Sequence, residues 1–392
     1  MNATTTTILW IQVLILSFGI FIDLIPSGIR TAFYGGAWIL ILIQSVQGLA
    51  NRDIFILKQS SVLLMVGFLF IMGINIFISI DSAITIQRLF ALTINIFIAY
   101  YLSVRSSTDL TLTAIANAFR NVLVITSIFT LLMYFVDAST LIDQGENSNL
   151  RGTFKGLFPM KNVLGRFMVM FILFELSRKR INYFLIALAS FWLVVSQSAT
   201  GLVAAATLIP IMLTTSLSSN KRLATILLIS MALVLVFFPI ILDLDYVKVI
   251  LSEYLDKSAD LSGRTTLWPY VIEAAIKRPW FGYGFSAFWE SPDAYQQVLQ
   301  YFNWSPGHAH NGFIQLLIDF GLLGAIPLLF AYLRVSKYAI ELYSKRITVA
   351  FSFCYILLVF NFSQSELVGR NSFTFIFFAF LYFLSRRKYA AV

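Results

Sequence analysis

The chain carries two histidines, His308 and His310, and both fall in one short stretch, SPGHAHNGF, where a long polar segment meets an apolar one. Imidazole titrates near neutral pH, so a pair in such a place fits a general base or proton carrier. Two other readings stand beside it. A His-x-His pair is half of a metal site, and the same pair can serve only local hydrogen bonding. No cysteine is near and no carboxylates repeat in a matching pattern, so no metal and no cofactor are expected. In an extended segment, alternation points both rings the same way. Asn311 follows directly and joins His308 as a candidate substrate-binding residue.

Arg264 lies in DLSGRTTLW, at the start of a helical pattern. A helix start offers unpaired N–H groups and the positive end of the helix dipole. A guanidinium placed there adds a fork that matches phosphate oxygens, which makes a plausible diphosphate seat. The plainer reading is an ordinary interfacial arginine. A third cluster lies in NLRGTFKGLFPMKNVLGRF, where Arg151, Lys155, Lys161 and Arg166 lead from a loop into an apolar segment. Gly152, Gly156 and Gly165 there permit close backbone approach.

These residues must be positioned by something, and the composition says what. Hydrophobic residues make up 59% and charged residues 12% of the 392, and mean hydropathy is +0.82. A soluble domain is about 25% charged, so a water-facing surface cannot be covered and a lipid bilayer is the solvent that fits. Apolar segments at 8–27, 31–50, 60–80, 88–104, 117–136, 161–177, 181–197, 199–217, 222–242, 311–333, 347–362 and 371–385 are each near the roughly 20 residues a membrane span needs. The expected fold is all-α and polytopic, a single transmembrane domain over 1–392 with about twelve transmembrane helices.

The net charge of +9 does not point to nucleic acid, because of where it sits. Lys and Arg gather at Arg52/Lys58, Arg105/Arg120, Arg178-Lys179-Arg180, Lys221/Arg222, Arg334/Lys337, Lys345/Arg346 and Arg386-Arg387-Lys388, at every second boundary between segments. That is the pattern of cytoplasmic loops. It puts both termini inside and the long loops, 137–160 and 243–310, outside. The cations at 151–166 are then on the wrong side for that rule, and an outer anionic ligand gives them a reason.

The second loop reads as partly helical. Leu267, Val271, Ala274 and Ala275 recur at helical spacing, with Thr265 or Thr266 as cap and Pro269 in the first turn. Trp268, Trp280, Trp289 and Trp304 suit a segment lying at lipid headgroups. Asp23, Arg166, Glu175 and Asp319 are charges at or within spans, and charge in a span is costly unless paired or facing a polar cavity. The single cysteine, Cys354, lies in a span and excludes a disulfide or a Cys-based metal site. No cleavable signal peptide, nucleotide-binding glycine loop or internal repeat is evident, and the asymmetric placement of the long loops weighs against a secondary carrier.

Taken in order, RGTFKGLFPMKNVLG, SQSATG, SGRTTLW, KRPWFGYGFSAFW and HAHNGFIQLLIDFGLLG resemble the O-antigen ligase/polymerase superfamily of bacterial envelope glycan enzymes. They run from about 151 to 324 and are nearest to its exopolysaccharide-polymerisation branch. The resemblance implies metal-independent glycosyl transfer at the outer face of a bacterial inner membrane, from an undecaprenyl-diphosphate-linked oligosaccharide. It implies that Arg264 holds the diphosphate, that His310 deprotonates the acceptor hydroxyl, and that Arg151 and Lys161 line the donor site. A polymerase acting on lipid-linked repeat units is the expected form. A ligase moving a finished glycan to a lipid or protein is the alternative, and a flippase or transporter of the lipid-linked sugar is a third. A chain-length regulator and a flippase are the implied protein partners. One departure matters: many relatives place a cation in the turn that reads Ser196-Gln197-Ser198-Ala199-Thr200 here, and Lys161 or Arg166 would have to replace it.

Overall fold

The computed structural model describes residues 3–50, 59–105, 108–144, 151–217, 219–243, 264–302, 306–366, 368 and 372–386. Among these residues the regular structure is helical, apart from one bridge that pairs Ile142 with Phe154. Each of the twelve apolar segments falls on a helix. These are α1 (Ala3–Ser17), α2 (Ser27–Ala50), α3 (Gln59–Ile78), α4 (Ser82–Arg105), α5 (Thr108–Asp137), α6 (Lys161–Leu176), α7 (Tyr183–Val195), α8 (Ala199–Leu217), α9 (Lys221–Asp243), α13 (Gly312–Ser344), α14 (Val349–Ser363) and α15 (Phe373–Leu384). Between the ninth and tenth of these lie α10 (Arg264–Lys277), α11 (Ala287–Glu290) and α12 (Pro292–Phe302). Among the described residues, four stretches, Ser27–Gln47, Ser82–Val104, Thr108–Leu141 and Gly312–Ser344, are long and apolar enough to cross a membrane, and six further apolar helices are shorter.

The last helix explains how the bundle is filled. Its sequence FTFIFFAFLYFL is apolar on every face, and such a helix has to be enclosed. All but Tyr382 of its residues are buried, among α1, α4 and α13. Phe373 meets Trp10 at 5.7 Å and Phe119 at 5.2 Å between ring centroids, both edge to face. Lipid tails are as apolar as these rings, so packing rather than exclusion from water holds the helices together. Close approach does the same for α6 and α8: a methyl on Gly201 would lie 3.1 Å from the Gly165 Cα.

Hydrogen bonds sort the connections into two ends. At one end Arg120 donates to Glu175 and to the Arg180 carbonyl, Arg178 donates to Asn117, and Arg334 donates to the Ser385 carbonyl. These bonds tie Arg120 to the cluster at 178–180, and Arg334 to the turn just before Arg386. At the opposite end the Phe21 amide donates to the Leu157 carbonyl and the Ile80 amide to the Tyr283 carbonyl.

At that second end α13 is broken at Gly321 (φ 60°, ψ −165°). The break strips partners from four backbone groups, and the segment 279–284 supplies all four. The Leu322 and Leu323 amides donate to the carbonyls of Pro279 (2.8 Å) and Trp280 (3.0 Å). The carbonyls of Ile318 and Asp319 accept from the amides of Tyr283 (2.8 Å) and Gly284 (3.2 Å). Irregular backbone in a membrane protein needs such satisfaction from within. A side chain at Gly321 would collide with Trp280, so the close fit needs glycine there.

The segment 264–302 carries its own core of Leu267, Val271, Phe288, Trp289 and Val298 packed on Ile318. Two sequence expectations change. Trp289 is buried in this core and Trp268 is buried beside it against Phe362, rather than set at the lipid headgroups; of the described three, Trp280 is exposed, at 61%. The helix also begins at Arg264 itself, ahead of the two threonines, which moves Pro269 to the second turn. Trp304 and residues 244–263 lie outside the described residues.

Candidate functional site

Between the segment 264–310 and the bundle lies a cavity of about 330 Å³. Its lining includes the apolar Phe18, Phe285, Phe360 and Phe373 and the polar Arg166, His308, Glu290, Asp319 and Glu366. That mixture, apolar walls with a few convergent polar groups, is the usual make-up of a binding site.

Arg166 stands one turn and a half into α6 and forms an ion pair with Glu366, from the segment between α14 and α15. Glu366 is held in turn: its Oε2 accepts from Thr374 Oγ1 (2.8 Å) and its amide donates to Asn361 Oδ1 (3.2 Å). The same segment reaches the other two candidate groups. Arg264 Nη2 donates to the Ser363 carbonyl (3.2 Å), and Ser365 Oγ lies 3.5 Å from His308 Nδ1. Three stretches far apart in sequence therefore converge on residues 363–366.

The histidine stretch is a turn, not the extended segment the alternation implied. His310 takes a left-handed conformation (φ 51°). Its amide donates to His308 Nδ1 at 3.0 Å, and the two rings sit 4.0 Å apart between centroids. The amide of Ala309 donates to Gln315 Oε1 (2.8 Å), and its carbonyl accepts from Trp268 Nε1 (3.0 Å). Burial, first, then Arg166 and Arg264, push the His308 pKa down to about 4. Burial, then His308 and Arg264, push His310 down as well. Both imidazoles are therefore neutral near pH 7. An Nδ1 that accepts a hydrogen bond leaves the ring proton on Nε2, so neutral His308 presents a donor.

The other expected residues are placed as follows. His308 and Arg166 line the cavity; His310 stacks behind His308, and Arg264 acts on both rings from α10. Asn311 caps α13, its Oδ1 accepting from the amides of Phe313 (3.0 Å) and Ile314 (3.2 Å). Lys155 is ion-paired with Asp23, which also faces Arg30 at 3.8 Å. Arg151 is exposed in a turn, and Lys161 begins α6 beside the lining residue Met160. Arg151, Lys155 and Lys161 do not reach the cavity wall. In the turn that lacks a cation, Ser198 Oγ instead meets Asn162 Oδ1 at 3.2 Å, at the start of α6.

Glu366, Arg88 and Gln315 escaped the sequence reading, as did the role of Asp319, which it had marked only as a charge within a span. Glu366 is a lone carboxylate in QSEL, just past an apolar run, with no neighbour in sequence to mark it. Arg88 stood at the edge of an apolar segment, yet it lies inside α4 and is ion-paired with Glu290 on the cavity wall. Gln315 and Asp319 are one turn apart on α13 and joined, Gln315 Nε2 donating to Asp319 Oδ2 at 2.8 Å. That spacing was visible; its connection to the histidines was not.

Comparison with known proteins gives two matches. Residues 184–329 match the family model described as O-antigen ligase. Over 148 residues the chain is 32% identical to the exopolysaccharide production protein ExoQ of Rhizobium meliloti (strain 1021), a stretch covering 36% of this chain and 34% of that protein. The matched part of the relative is thus about a third of its length. Both agree with the O-antigen ligase/polymerase resemblance carried by the motifs. The family match includes Arg264, His308 and His310 and stops short of Arg166 and Glu366.

Proposed function

We propose that this chain is a polysaccharide polymerase, joining undecaprenyl-diphosphate-linked glycan to a lipid-linked repeat unit at the outer face of a bacterial inner membrane. The proposal includes twelve membrane crossings, cytoplasmic termini, and loops 137–160 and 243–310 on the outside. The observation that carries it is the convergence of Arg166, Arg264 and His308 on residues 363–366, beside a cavity that Arg166 and His308 line and with His310 packed against His308. The matches to an O-antigen ligase family and to an exopolysaccharide production protein support the same chemistry.

The step follows from the groups present. The acceptor hydroxyl oxygen bonds to the anomeric carbon as the bond from that carbon to the diphosphate oxygen breaks. The lipid diphosphate leaves with the electron pair, and the hydroxyl proton passes to His310. Arg264 and Arg166 offset the charge that develops on the leaving group, and the Nε2–H of His308 donates to it. Arg166 thus takes the place of the cation absent from residues 196–200. Burial, His308 and Arg264 hold His310 neutral and keep it a weak base; a diphosphate bound at Arg264 offsets that charge and raises the base when it is needed. Arg151, Lys155 and Lys161 act further out, where the lipid-linked glycan approaches, and Asn311 acts by fixing the helix that carries the turn. No step calls for a metal or a cofactor.

A ligase transferring a finished glycan to another lipid or a protein is the second reading, favoured by the description of the matching family. Product size separates the two. Purified protein given a lipid-linked repeat unit should yield a ladder spaced by one repeat; one product formed only after a different acceptor is added supports the ligase. A chain-length regulator and a flippase are the protein partners this role requires.

A further inference from the structure

The carboxylate of Asp319 is part of the cavity lining, and its hydrogen bonds go to two other lining residues, Gln315 and Ser286. Its Oδ2 accepts from Gln315 Nε2 (2.8 Å), and its Oδ1 accepts from the Ser286 amide (3.0 Å). Gln315 Oε1 in turn accepts from the Ala309 amide (2.8 Å), the peptide between the two histidines. Asp319 is 2% exposed, Gln315 7% and Ala309 0%.

We propose that Asp319 is a positioning residue for the histidine turn, acting by fixing which way the Gln315 side-chain amide faces. Both carboxyl oxygens of Asp319 accept here, whereas a primary amide has one accepting and one donating end. With the carboxylate below it, Gln315 must point Nε2 down and Oε1 up, and Oε1 is what the Ala309 amide requires. The turn needs such a hold, since a non-glycine residue at φ 51° persists only where its surroundings over-determine it. Trp268 on the Ala309 carbonyl and Gln315 on its amide are that determination. The inference rests on the proposed role of the histidines in glycan transfer.

The arrangement predicts an unusual pattern of variants. Asp319→Asn preserves shape, but its Oδ1 must still face the Ser286 amide, which turns Nδ2 toward Gln315. Gln315 then has to reverse, and its Nε2 meets the Ala309 amide, donor against donor. Gln315→Glu alone sets two carboxylates together. The double variant Asp319→Asn/Gln315→Glu restores the original order, because the new carboxylate accepts from Asn Nδ2 below and from the Ala309 amide above.

The experiment measures chain extension of a lipid-linked repeat unit by the four proteins in nanodiscs, along with binding of the lipid diphosphate donor. The expected result is a loss of at least tenfold in kcat for each single variant, with little change in donor binding, and recovery of most of it in the double variant. Singles that match the wild type, or a double no better than the worse single while still folded, would overturn the inference. If instead the wild-type protein extends nothing, the functional reading itself fails, and that outcome is distinct from failure of the positioning role.

Discussion

Arg166 is carried on α6, just past the connection from α5, and its guanidinium is ion-paired with the carboxylate of Glu366, which comes from the connection between the last two helices. The pair closes one wall of the cavity and brings the cation level with His308. A buried ion pair is poor evidence of stability but good evidence of constraint, because either partner alone is costly. Arg166→Ala or Glu366→Ala should therefore each lower stability by about 3–5 kcal/mol, measured as detergent-resistant folding. A double Arg166→Met/Glu366→Met protein should regain most of that stability and remain inactive. Activity in the folded double variant would show that the pair serves the fold alone.

Arg264 donates to the Ser363 carbonyl and bears on both histidine rings. Its replacement by Ala should lower transfer by about 10²–10³-fold, the typical loss for one pre-set donor at a developing negative charge. Arg264→Lys should recover little, since a point charge does not reproduce a two-pronged guanidinium. Near-normal turnover in Arg264→Ala would remove it from the site.

The two histidines should not be equivalent. His308 uses Nδ1 to hold the His310 amide and presents a donor, while His310 is the proposed base. His310→Ala should cost about 10²–10⁴-fold, the range of general-base contributions, and His308→Ala should cost less. The reverse order would assign the base to His308, the ring that lines the cavity.

A pH profile tests the same assignment. A base works unprotonated, and kcat/KM reports the free enzyme. An imidazole at its ordinary value of 6.5 would be mostly protonated at about pH 5. Both rings here lie below that value, His308 at about 4. The profile of kcat/KM should accordingly stay flat as pH falls through 6.5. A halving of kcat/KM near pH 6.5 would mean that the catalytic imidazole is not held as the site implies.

Most of the helices could be read from the sequence, because a span declares itself through a long apolar run, and each of the twelve runs falls on a helix. The site was legible in pieces. Arg264 and the His-x-His pair stood out by type and by their place at segment ends. The role of 279–284 did not, because RPWFGYGF acts through backbone groups that repair the break at Gly321, and no side chain marks that task. Glu366 and Arg88 were hidden for a related reason: each gains meaning only from a partner far along the chain. Lys155 misled in the opposite sense, since the cation that looked available is paired with Asp23.

Topology can be tested apart from chemistry. In a Cys354→Ala background, a cysteine at exposed Gln296 should react with an impermeant thiol reagent from outside intact spheroplasts. A cysteine at exposed Lys179, among the basic clusters, should react only after lysis. The opposite pattern would invert the orientation and place the cavity in the cytoplasm.

The central claim is that this single chain joins lipid-linked sugar units using only its own side chains. Its most direct test is purified protein in proteoliposomes with an undecaprenyl-diphosphate-linked repeat unit, a chelator present, and neither nucleotide nor ion gradient supplied. The expected result is a ladder of lipid-linked products, each longer by one repeat, at a rate the chelator does not change. Recovery of the unextended unit alone, in preparations whose protein is folded, would contradict the account.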